Sequence, residues 1–330
     1  MNNKKNHRHF PVIKNNRFYN HADDYPESLL FQTIPTFLSS LRGRKKRLPE
    51  NKQDWISQDL PIDSCHEPVI TWIGHATFLI QVAGINIITD PVFGNASAFF
   101  PRILPAGVEL EKLPSIDVVI LSHNHRDHCD LRSLLPLQKL HPNMTLLVPQ
   151  GDKKWLEKKG FSRVFEHNWW DAYTHLAEDK PEITFTFLPA NHWSAHGIFD
   201  RNKSLWGSWM ISVTGDHNKN IYFAGDTAYG DHFKHIATEF PAIHTALMPI
   251  APGEPDPWMR KSHMDASQAV QAFIDLQAHH FIPMHWGTFQ FGLDTFHGPL
   301  DRLTYAWNAH QLHENAKKLT VAKVGQRLVL

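Results

Sequence analysis

The feature that most constrains this chain is a cluster of imidazole and carboxylate side chains at the end of an apolar run. The segment LSHNHRDHCD places His123, His125, Asp127 and His128 directly after SIDVVIL. A short, continuous apolar run is typical of a strand that is covered on both faces of a sheet. The fold must therefore end a buried strand at a polar edge, where these four side chains can meet.

The spacing within the cluster predicts convergence. Successive residues of an extended chain point to opposite faces, so His123 and His125 face the same way and Asn124 faces the other. Asp127 and His128 then lie on the turn that leads into the next helix, which can aim them into the same space. Imidazole nitrogen and carboxylate oxygen are ligands of zinc and iron, and four such donors can surround a site with room for two ions.

Three later strand ends carry donors of the same kinds. FTFLPANHW reaches His192, IYFAGD ends in Asp226 and FIPMH ends in His285. In open α/β architectures, functional groups collect beyond the carboxyl ends of the strands. We therefore expect seven ligands at one edge of the fold: His123, His125, Asp127, His128, His192, Asp226 and His285.

From Val69 onward the pattern predicts an α/β fold. VITWIGHATFLIQVAGINIITD predicts strands that turn at Gly74-His75 and Ala83-Gly84. Helices are predicted for DLRSLLPLQKLH, for GDKKWLEKKG, for residues 231–240 and for DASQAVQAFIDLQ. Further strands are predicted for IDVVILS, TLLVP, EITFTFLPA, SWMISVT, NIYFAGD, TALMPI, HFIPMH and LTVAKVGQRLVL. Each half is a run of strands followed by alternating helices, which predicts two sheets packed face to face in a four-layer αβ/βα sandwich.

Residues 1–66 differ from residues 67–330 and predict an N-terminal arm that packs on one main domain. Within the arm, ESLLFQTIPTFLSSL has apolar residues at helical spacing, and the basic run RGRKKR follows. One interpretation is a helix packed on the main domain with a solvated basic end. The other is an interfacial helix whose cations meet phospholipid head groups, which would give peripheral membrane contact.

The composition limits the binding partners and the cellular compartment that we expect for this protein. The 33 Lys and Arg residues balance the 33 Asp and Glu residues, so no overall field favours nucleic acid, and we expect no nucleic-acid partner. The 2 cysteines, Cys65 and Cys129, form no disulfide framework. No run of about 18 apolar residues is present, so we expect a cytoplasmic protein. A homodimer is the default expectation for its assembly.

The motif His123-x-His125-x-Asp127-His128, followed by His192, Asp226 and His285, resembles the signature of the metallo-β-lactamase-fold hydrolases. This resemblance implies a pair of zinc ions, although iron and manganese accept the same donors. It implies these ligands: His123, His125 and His192 for one ion, Asp127, His128 and His285 for the other, and Asp226 bridging both.

The same resemblance gives Asp90, in IITDPVF, the role of orienting a ligand histidine. The alternative for Asp90 is a turn residue before Pro91. Cys129, beside the cluster, is predicted to be a small packed residue and not a ligand. Two metal ions 3.5–4 Å apart, as a rough rule, can activate a shared water for hydrolysis, so no serine or cysteine nucleophile is required.

The flanking segments WIGHATFLI, TDPVF, HNWWD, YFAGDTAYG, PIAPGEPDPWMRKSHMDASQAV and MHWGTF resemble N-acyl-phosphatidylethanolamine-hydrolysing phospholipases D and their bacterial relatives, over residues 17–297. This resemblance implies attack of metal-activated water on the phosphorus of a phospholipid, with Asp127 and Asp226 in the catalytic centre. It implies that His263, in SHMD, assists the leaving oxygen or steadies the charged phosphorane. The alternative for His263 is a residue at the start of a helix.

A lipid substrate requires apolar walls beside the metals. The loop NASAFFPRIL offers Phe99, Phe100 and Leu104 as substrate contacts. Five tryptophans between positions 169 and 209 are a weaker candidate, because aromatic residues are more often part of a core. The alternatives are a lactonase acting on a small phosphorylated or acyl lactone, and a non-enzymatic binding protein braced by metals.

Overall fold

A computed structural model describes residues 8–20, 48–59, 61–63, 65, 67–176, 180–214, 219–256 and 258–330. The predicted helix at 27–41 and the basic run at 42–47 lie outside the described residues. Within the described ranges, every helix is too short or too polar to cross a bilayer.

Two seven-stranded sheets form the centre of the molecule, and their strand orders are β16-β3-β4-β5-β6-β7-β8 and β15-β14-β13-β12-β11-β10-β9. The first sheet contains β3 (Val69–Gly74), β4 (Thr77–Val82), β5 (Ile85–Thr89), β6 (Val118–Ile120), β7 (Thr145–Pro149), β8 (Val164–His167) and β16 (Arg327–Val329). The second contains β9 (Ala172–His175), β10 (Ile183–Leu188), β11 (Ser208–Val213), β12 (Asn220–Phe223), β13 (Ile243–Pro249), β14 (His280–Met284) and β15 (Lys318–Leu319). A hairpin of β1 (Val12–Lys14) and β2 (Arg17–Tyr19) precedes them.

Each sheet changes from antiparallel to parallel pairing part-way across. In the first sheet, β16, β3, β4 and β5 pair antiparallel, and β5 through β8 pair parallel. In the second, β9 through β12 pair antiparallel, and β12 through β15 pair parallel. Parallel neighbours need crossover connections, which the helices supply. The parallel halves therefore direct several strand ends toward one edge.

The two faces of the first sheet enter two different cores. Ile87 and Ile120 belong to the large core, which also holds Phe187 and Trp209 of the second sheet. Their chain neighbours, such as Ile88, belong to a second core beneath the outer helices. This alternation explains why β5 and β6 are apolar throughout, as a strand covered on both faces must be.

Five α-helices of the described residues cover the outer faces: α1 (Leu131–Leu140), α2 (Lys153–Glu157), α3 (His232–Glu239), α4 (Ala266–Asp275) and α5 (Gly298–Ala309). Leu134 of α1 and Leu156 of α2 pack on the first sheet. Phe233, Phe273 and Trp307 of the last three helices join the large core at the second sheet. The predicted four-layer αβ/βα sandwich is confirmed.

The sequence patterns found most elements but not all of them. The predicted helices at α1 through α4 are present, and Asp130 caps α1 by accepting a hydrogen bond from the Arg132 amide. Helix α5, the hairpin β1–β2 and strands β8 and β9 were not predicted. Helix α5 begins with Gly298-Pro299, and a proline at this position fits the first helical turn because it has no amide hydrogen to leave unpaired.

The described parts of the predicted arm contact the main domain. Phe18 is buried in the large core, and its amide donates to the Asn202 carbonyl at 2.8 Å. The Asn20 side chain donates to the His192 carbonyl at 3.0 Å and accepts from the Trp206 indole at 2.9 Å. Trp55 packs edge-on against Trp286. The boundary at residue 66 stays a prediction.

Helix α4 allows a test of local stability. Asp265 accepts a hydrogen bond from the Gln268 amide at 2.8 Å, and the Gln268 side chain accepts from the Asp265 amide at 3.3 Å, which forms a capping box. We expect Asp265→Ala to lower the free energy of unfolding by about 1 kcal/mol in urea titrations. Asp231→Ala is the matched control, because Asp231 precedes α3 without a capping hydrogen bond from its side chain. Equal losses in the two variants would contradict the assigned cap.

Candidate metal centre

The predicted ligands occupy strand ends of both sheets. His123 follows β6 of the first sheet, and His192, Asp226 and His285 follow β10, β12 and β14 of the second. Asp127 and His128 lie on the turn before α1. The His128 and Cys129 amides both donate to the His125 carbonyl, at 3.0 and 2.7 Å, so the loop folds back on itself. All seven side chains gather at the edge where the two sheets meet.

Three histidines form the first group of donors. Nε2 of His123 lies 2.8 Å from Nδ1 of His125. Nε2 of His192 lies 3.2 Å from the same His125 nitrogen. The three nitrogens thus point at one small volume, as the ligands of a single ion do.

A second group surrounds Asp127. Its Oδ2 lies 3.4 Å from Nε2 of His128 and 3.9 Å from Nε2 of His285. The two histidine nitrogens are 3.3 Å apart. Nε2 of His75 is 3.0 Å from the same Asp127 oxygen, and its ring lies 3.9 Å from the His285 ring. His75 was not among the predicted site residues.

Asp226 lies between the two groups. Its Oδ1 is 3.0 Å from Nε2 of His285, and its Oδ2 is 3.3 Å from Nε2 of His128. The same Oδ2 is 3.8 Å from Nε2 of His192 and 3.7 Å from Nδ1 of His263. A carboxylate in this position can serve both groups, which is the placement expected for a bridging ligand.

Hydrogen bonds on the far side of two of the rings, those of His192 and His285, fix their orientation. Nδ1 of His192 donates to the Ser262 carbonyl at 2.7 Å, and Nδ1 of His285 donates to the Ala251 carbonyl at 2.8 Å. Because the neutral ring carries one N–H, these bonds leave the Nε2 lone pairs directed at the centre.

Asp90 orients two further rings, those of His128 and His123. Its Oδ2 lies 2.7 Å from Nδ1 of His128 and accepts from the Ser122 hydroxyl at 2.6 Å. That hydroxyl lies 2.9 Å from Nδ1 of His123, so it accepts from this ring while donating to Asp90. Asp90 therefore holds one ligand directly and a second through Ser122, which is the orienting role and not that of a turn residue alone.

Burial keeps the three-histidine group neutral. Burial lowers the pKa of His125 to about 4 and that of His192 to about 3, and it lowers the pKa of His123 well below its usual value. A neutral imidazole offers the lone pair that a cation needs. For His128, burial opposes charge, but Asp226 and Asp127 outweigh it and raise the pKa well above the usual value.

The donor set fits divalent cations, and its mouth is open. Nδ1 of His263 and Nε2 of His125 are buried without a hydrogen-bond partner among the described residues. Such atoms are costly unless a cation or water satisfies them. The side chains of Asp127 and His263 remain 19% and 17% exposed, so a small molecule can reach the centre from this side.

Sequence comparison assigns the family. The profile of the β-lactamase superfamily domain matches residues 85–286. The chain belongs to the metallo-β-lactamase-fold hydrolases. It is a metal-dependent hydrolase of that superfamily. Its cluster of histidines and aspartates, at the edge where the strands of both sheets end, can bind divalent metal.

Two curated relatives and one solved structure resemble this hydrolase. N-acyl-phosphatidylethanolamine-hydrolyzing phospholipase D 1 of Caenorhabditis elegans is 33% identical over 263 residues, which cover 76% of this chain and 73% of that protein. The mitochondrial N-acyl-phosphatidylethanolamine-hydrolyzing phospholipase D of Saccharomyces cerevisiae is 30% identical over 239 residues, 71% of this chain. The hydrolase thus spans 50% of the yeast protein's length. A metallo hydrolase from Ignicoccus hospitalis shares the fold, with a TM-score of 0.59 and 23% identity over 79% of this chain and 97% of that chain.

The predicted substrate contacts separate into two groups. Phe100 packs on Phe291 with ring centroids 4.8 Å apart, and Phe291 lies 6.2 Å from the His285 ring, so Phe100 is part of a wall beside the centre. Phe99 is 61% exposed on the same loop. Leu104 is only 1% exposed and belongs to the large core. The prediction that Leu104 contacts substrate is therefore wrong, because its side chain has no access to the site.

The tryptophans also divide by burial. Trp169, Trp206 and Trp209 are core residues, and their indole nitrogens donate to backbone carbonyls inside the protein. They cannot receive an acyl chain. Trp193 differs, because its ring packs edge-on against His125 at 4.2 Å. Cys129 is buried in the second core, as expected for a small packed residue.

His75 could have been found from the strand directions. Strand β4 is antiparallel to both β3 and β5, so β3 runs in the same direction as β5 and β6. The turn after β3 must then lie at the same edge as His123. The turn is fixed there, because the His75 amide donates to the Thr288 hydroxyl at 2.7 Å and its carbonyl accepts from the His285 amide at 3.2 Å.

The contact between His75 and Asp127 has a measurable consequence. Burial lowers the pKa of His75 to about 3, so the ring is neutral and its Nε2–H can donate to the carboxylate. We expect His75→Ala to weaken the ion held by the Asp127 group by roughly 10–100-fold, as loss of an orienting partner does. Metal analysis of dialysed protein should show a lower ratio of metal to chain than in the unsubstituted protein. His75→Gln, which keeps a donor, is the control. An unchanged ratio in His75→Ala would contradict the role.

The three-histidine group predicts how metal binding responds to acid. A proton competes with metal only as the pH falls toward the pKa of the ligand, and those of His125 and His192 are about 4 and 3. We therefore expect at least one ion per chain to remain bound when the enzyme is desalted at pH 5, with the fold checked by circular dichroism. Complete metal release at about pH 6, where an ordinary histidine titrates, would contradict this assignment.

Proposed function

We propose that this chain is a dinuclear zinc hydrolase of the phospholipase D type that cleaves N-acyl-phosphatidylethanolamine-like lipids. The observation that carries the proposal is the open seven-donor centre in a chain related to enzymes of that name over most of its length. A cytoplasmic location, with peripheral contact at a membrane, is part of the same proposal.

Two groups of side chains would each bind one of the two ions. His123, His125 and His192 form the nitrogen-only group, and Asp127, His128 and His285 form the group with a carboxylate. When bound, the metal pair activates a water and polarises the phosphoryl group that the water attacks. Asp226 holds the two groups at a fixed separation. Asp90 and Ser122 keep the rings in position while the substrate enters.

His263 is placed to act on the substrate. Its Nδ1 lies 3.7 Å from Asp226 and lacks a hydrogen-bond partner among the described residues. Burial lowers the pKa of His263 to about 3, so the ring is neutral at physiological pH. A neutral ring can donate its N–H to a phosphoryl oxygen as negative charge develops there. We therefore assign His263 to stabilising the charged phosphorane rather than to supplying a proton from an imidazolium.

A phenylalanine wall beside the second group supports a substrate with apolar parts. Phe289 lies 4.9 Å from the His75 ring, and Phe291 lies 4.8 Å from Phe100. A small cavity beside His285 is lined by Phe289, Phe291 and Phe296. Apolar walls with a few polar groups are typical of sites for small molecules and lipids.

The two alternatives have less support. A lactonase for phosphorylated sugars requires cationic side chains around a small pocket, and the described residues that line the cavity beside His285 include no lysine or arginine. A metal-braced binding protein requires a closed centre. The exposed faces of Asp127 and His263 favour a site that substrate can reach.

The proposal is tested by assaying three substrates with one enzyme. We expect the purified protein to hydrolyse N-acyl-phosphatidylethanolamine in detergent micelles and bis-p-nitrophenyl phosphate, and to lose both activities reversibly with chelators. His125→Ala and Asp226→Ala should each reduce turnover by more than the roughly 100-fold that loss of an outer partner causes.

His310→Ala is the control, because this histidine is exposed at the end of α5, away from the centre. Turnover of a lactone alone would remove the phospholipid assignment. Unchanged turnover in either ligand variant would remove the metal mechanism.

A further inference from the structure

The loop between β10 and β11 forms a lip beside the metal centre. It carries the predicted ligand His192, and the next residue, Trp193, packs against the His125 ring. Further along, the His196 carbonyl accepts a hydrogen bond from Nε of Arg126 at 3.0 Å. Residues 193–202, named the lip here, therefore contact the metal-binding loop at two points.

The tip of the lip carries two apolar side chains in solvent. Ile198 is 87% exposed and Phe199 is 84% exposed, which makes them the most exposed large apolar side chains of the described residues. They are adjacent in sequence and lie on the outside of the loop that borders the mouth. Neighbouring exposed apolar residues beside a functional site mark an interaction surface more often than isolated ones do.

The lip is held in this shape by hydrogen bonds. The Asp200 carboxylate accepts from the His196 amide at 3.1 Å and from the Gly197 amide at 2.9 Å. At its far end, the Asn202 amide donates to the Ser194 carbonyl at 2.7 Å, and the Asn202 side chain donates to the Phe18 carbonyl at 2.9 Å. The apolar tip is thus presented by a fixed loop, so ordering it on a surface costs little entropy.

Cationic side chains lie beside the lip at His196. One cavity is lined by Arg126, Arg132, His196 and Ser97, together with Asp130. Nε of Arg132 pairs with Asp130 at 2.9 Å, while the terminal nitrogens of Arg126 have no hydrogen-bond partner among the described residues. Guanidinium groups in this position complement phosphate, because they offer several donors in a planar fork.

We propose that the lip docks this hydrolase on a phospholipid bilayer. Ile198 and Phe199 enter the acyl-chain boundary, and Arg126 and Arg132 meet lipid phosphates, which places the mouth at Asp127 and His263 against the surface. The proposal rests on the proposed function, because a bilayer substrate must be reached at the surface. Apolar side chains at the tip with cations behind them match the order of layers in a membrane interface.

Vesicle flotation of the full chain tests the docking. We expect the protein to float with phosphatidylcholine vesicles containing phosphatidic acid. Ile198→Ser combined with Phe199→Ser should lower the partition coefficient by at least about tenfold, because two apolar side chains no longer leave water. Leu176→Ser is the matched control, because Leu176 is also highly exposed, at 74%, but lies after β9.

A second variant tests the cationic part separately. Arg126→Gln should weaken binding about fivefold on the anionic vesicles, and less on phosphatidylcholine alone. Hydrolysis of bis-p-nitrophenyl phosphate, which is soluble, should stay unchanged in the Ile198→Ser, Phe199→Ser protein. These two readouts separate surface binding from catalysis.

The outcomes distinguish failure of docking from failure of the proposed function. If the intact enzyme cleaves N-acyl-phosphatidylethanolamine in micelles but the tip variant floats as well as the Leu176→Ser control, the docking proposal is overturned and the function stands. If the tip substitutions change the oligomeric state seen in gel filtration and leave flotation unchanged, the lip is a contact between protein copies. The docking proposal is then also overturned. If no lipid is cleaved in micelles, the proposed function fails whatever the flotation shows.

Discussion

Two carboxylates, the buried Asp226 and the partly exposed Asp127, determine how the metal-binding edge is built. Asp127 and Asp226 lie within 4 Å of several imidazoles, and the Asp226 side chain is almost fully buried. An isolated buried carboxylate is costly, so it needs positive charge or hydrogen-bond donors close by. The five ligand histidines supply lone pairs and only limited charge. A pair of divalent cations, as proposed for this centre, would compensate both carboxylates at once.

The sandwich fold brings the donor side chains of both sheets close enough together for this compensation. Ligands from β6 in one sheet and from β10, β12 and β14 in the other can converge only because the large core holds the two sheets face to face. Outer hydrogen bonds to Asp90, Ser262 and Ala251 then orient individual rings. Packing sets the position of the ligands to within the reach of a side chain, and hydrogen bonds set the final direction of each lone pair.

The sequence predicted the fold class and the convergence of the seven donor side chains because both depend on local patterns. Each ligand follows an apolar run or lies on the turn after one, and the alternation of runs and helices indicates two sheets. Local patterns alone could not assign Leu104, and they place His75 at the site only when the directions of the strands are added. Leu104 follows two phenylalanines in one loop, but the chain turns inward there and buries it. His75 lies in a turn, and its ring contacts that of His285, which is distant in sequence.

The same reason explains the tryptophans and helix α5. Aromatic residues near a site in sequence can still belong to the core, and Trp206 does so while its indole nitrogen donates to Asn20 of the N-terminal segment. Helix α5 packs Trp307 against Phe273 and Phe281, so its stability comes from partners that no local pattern reveals.

One loop connects the metal centre with the outer surface. It carries the predicted ligand His192 and, at its tip, the exposed Ile198 and Phe199. Hydrogen bonds of Asn20 and Asn202 connect both regions to the N-terminal segment. These hydrogen bonds therefore restrain the lip, so that movement of its tip is not passed on to His192. In the docking proposed above, such bracing would let a membrane surface hold the lip while the position of His192 stays fixed.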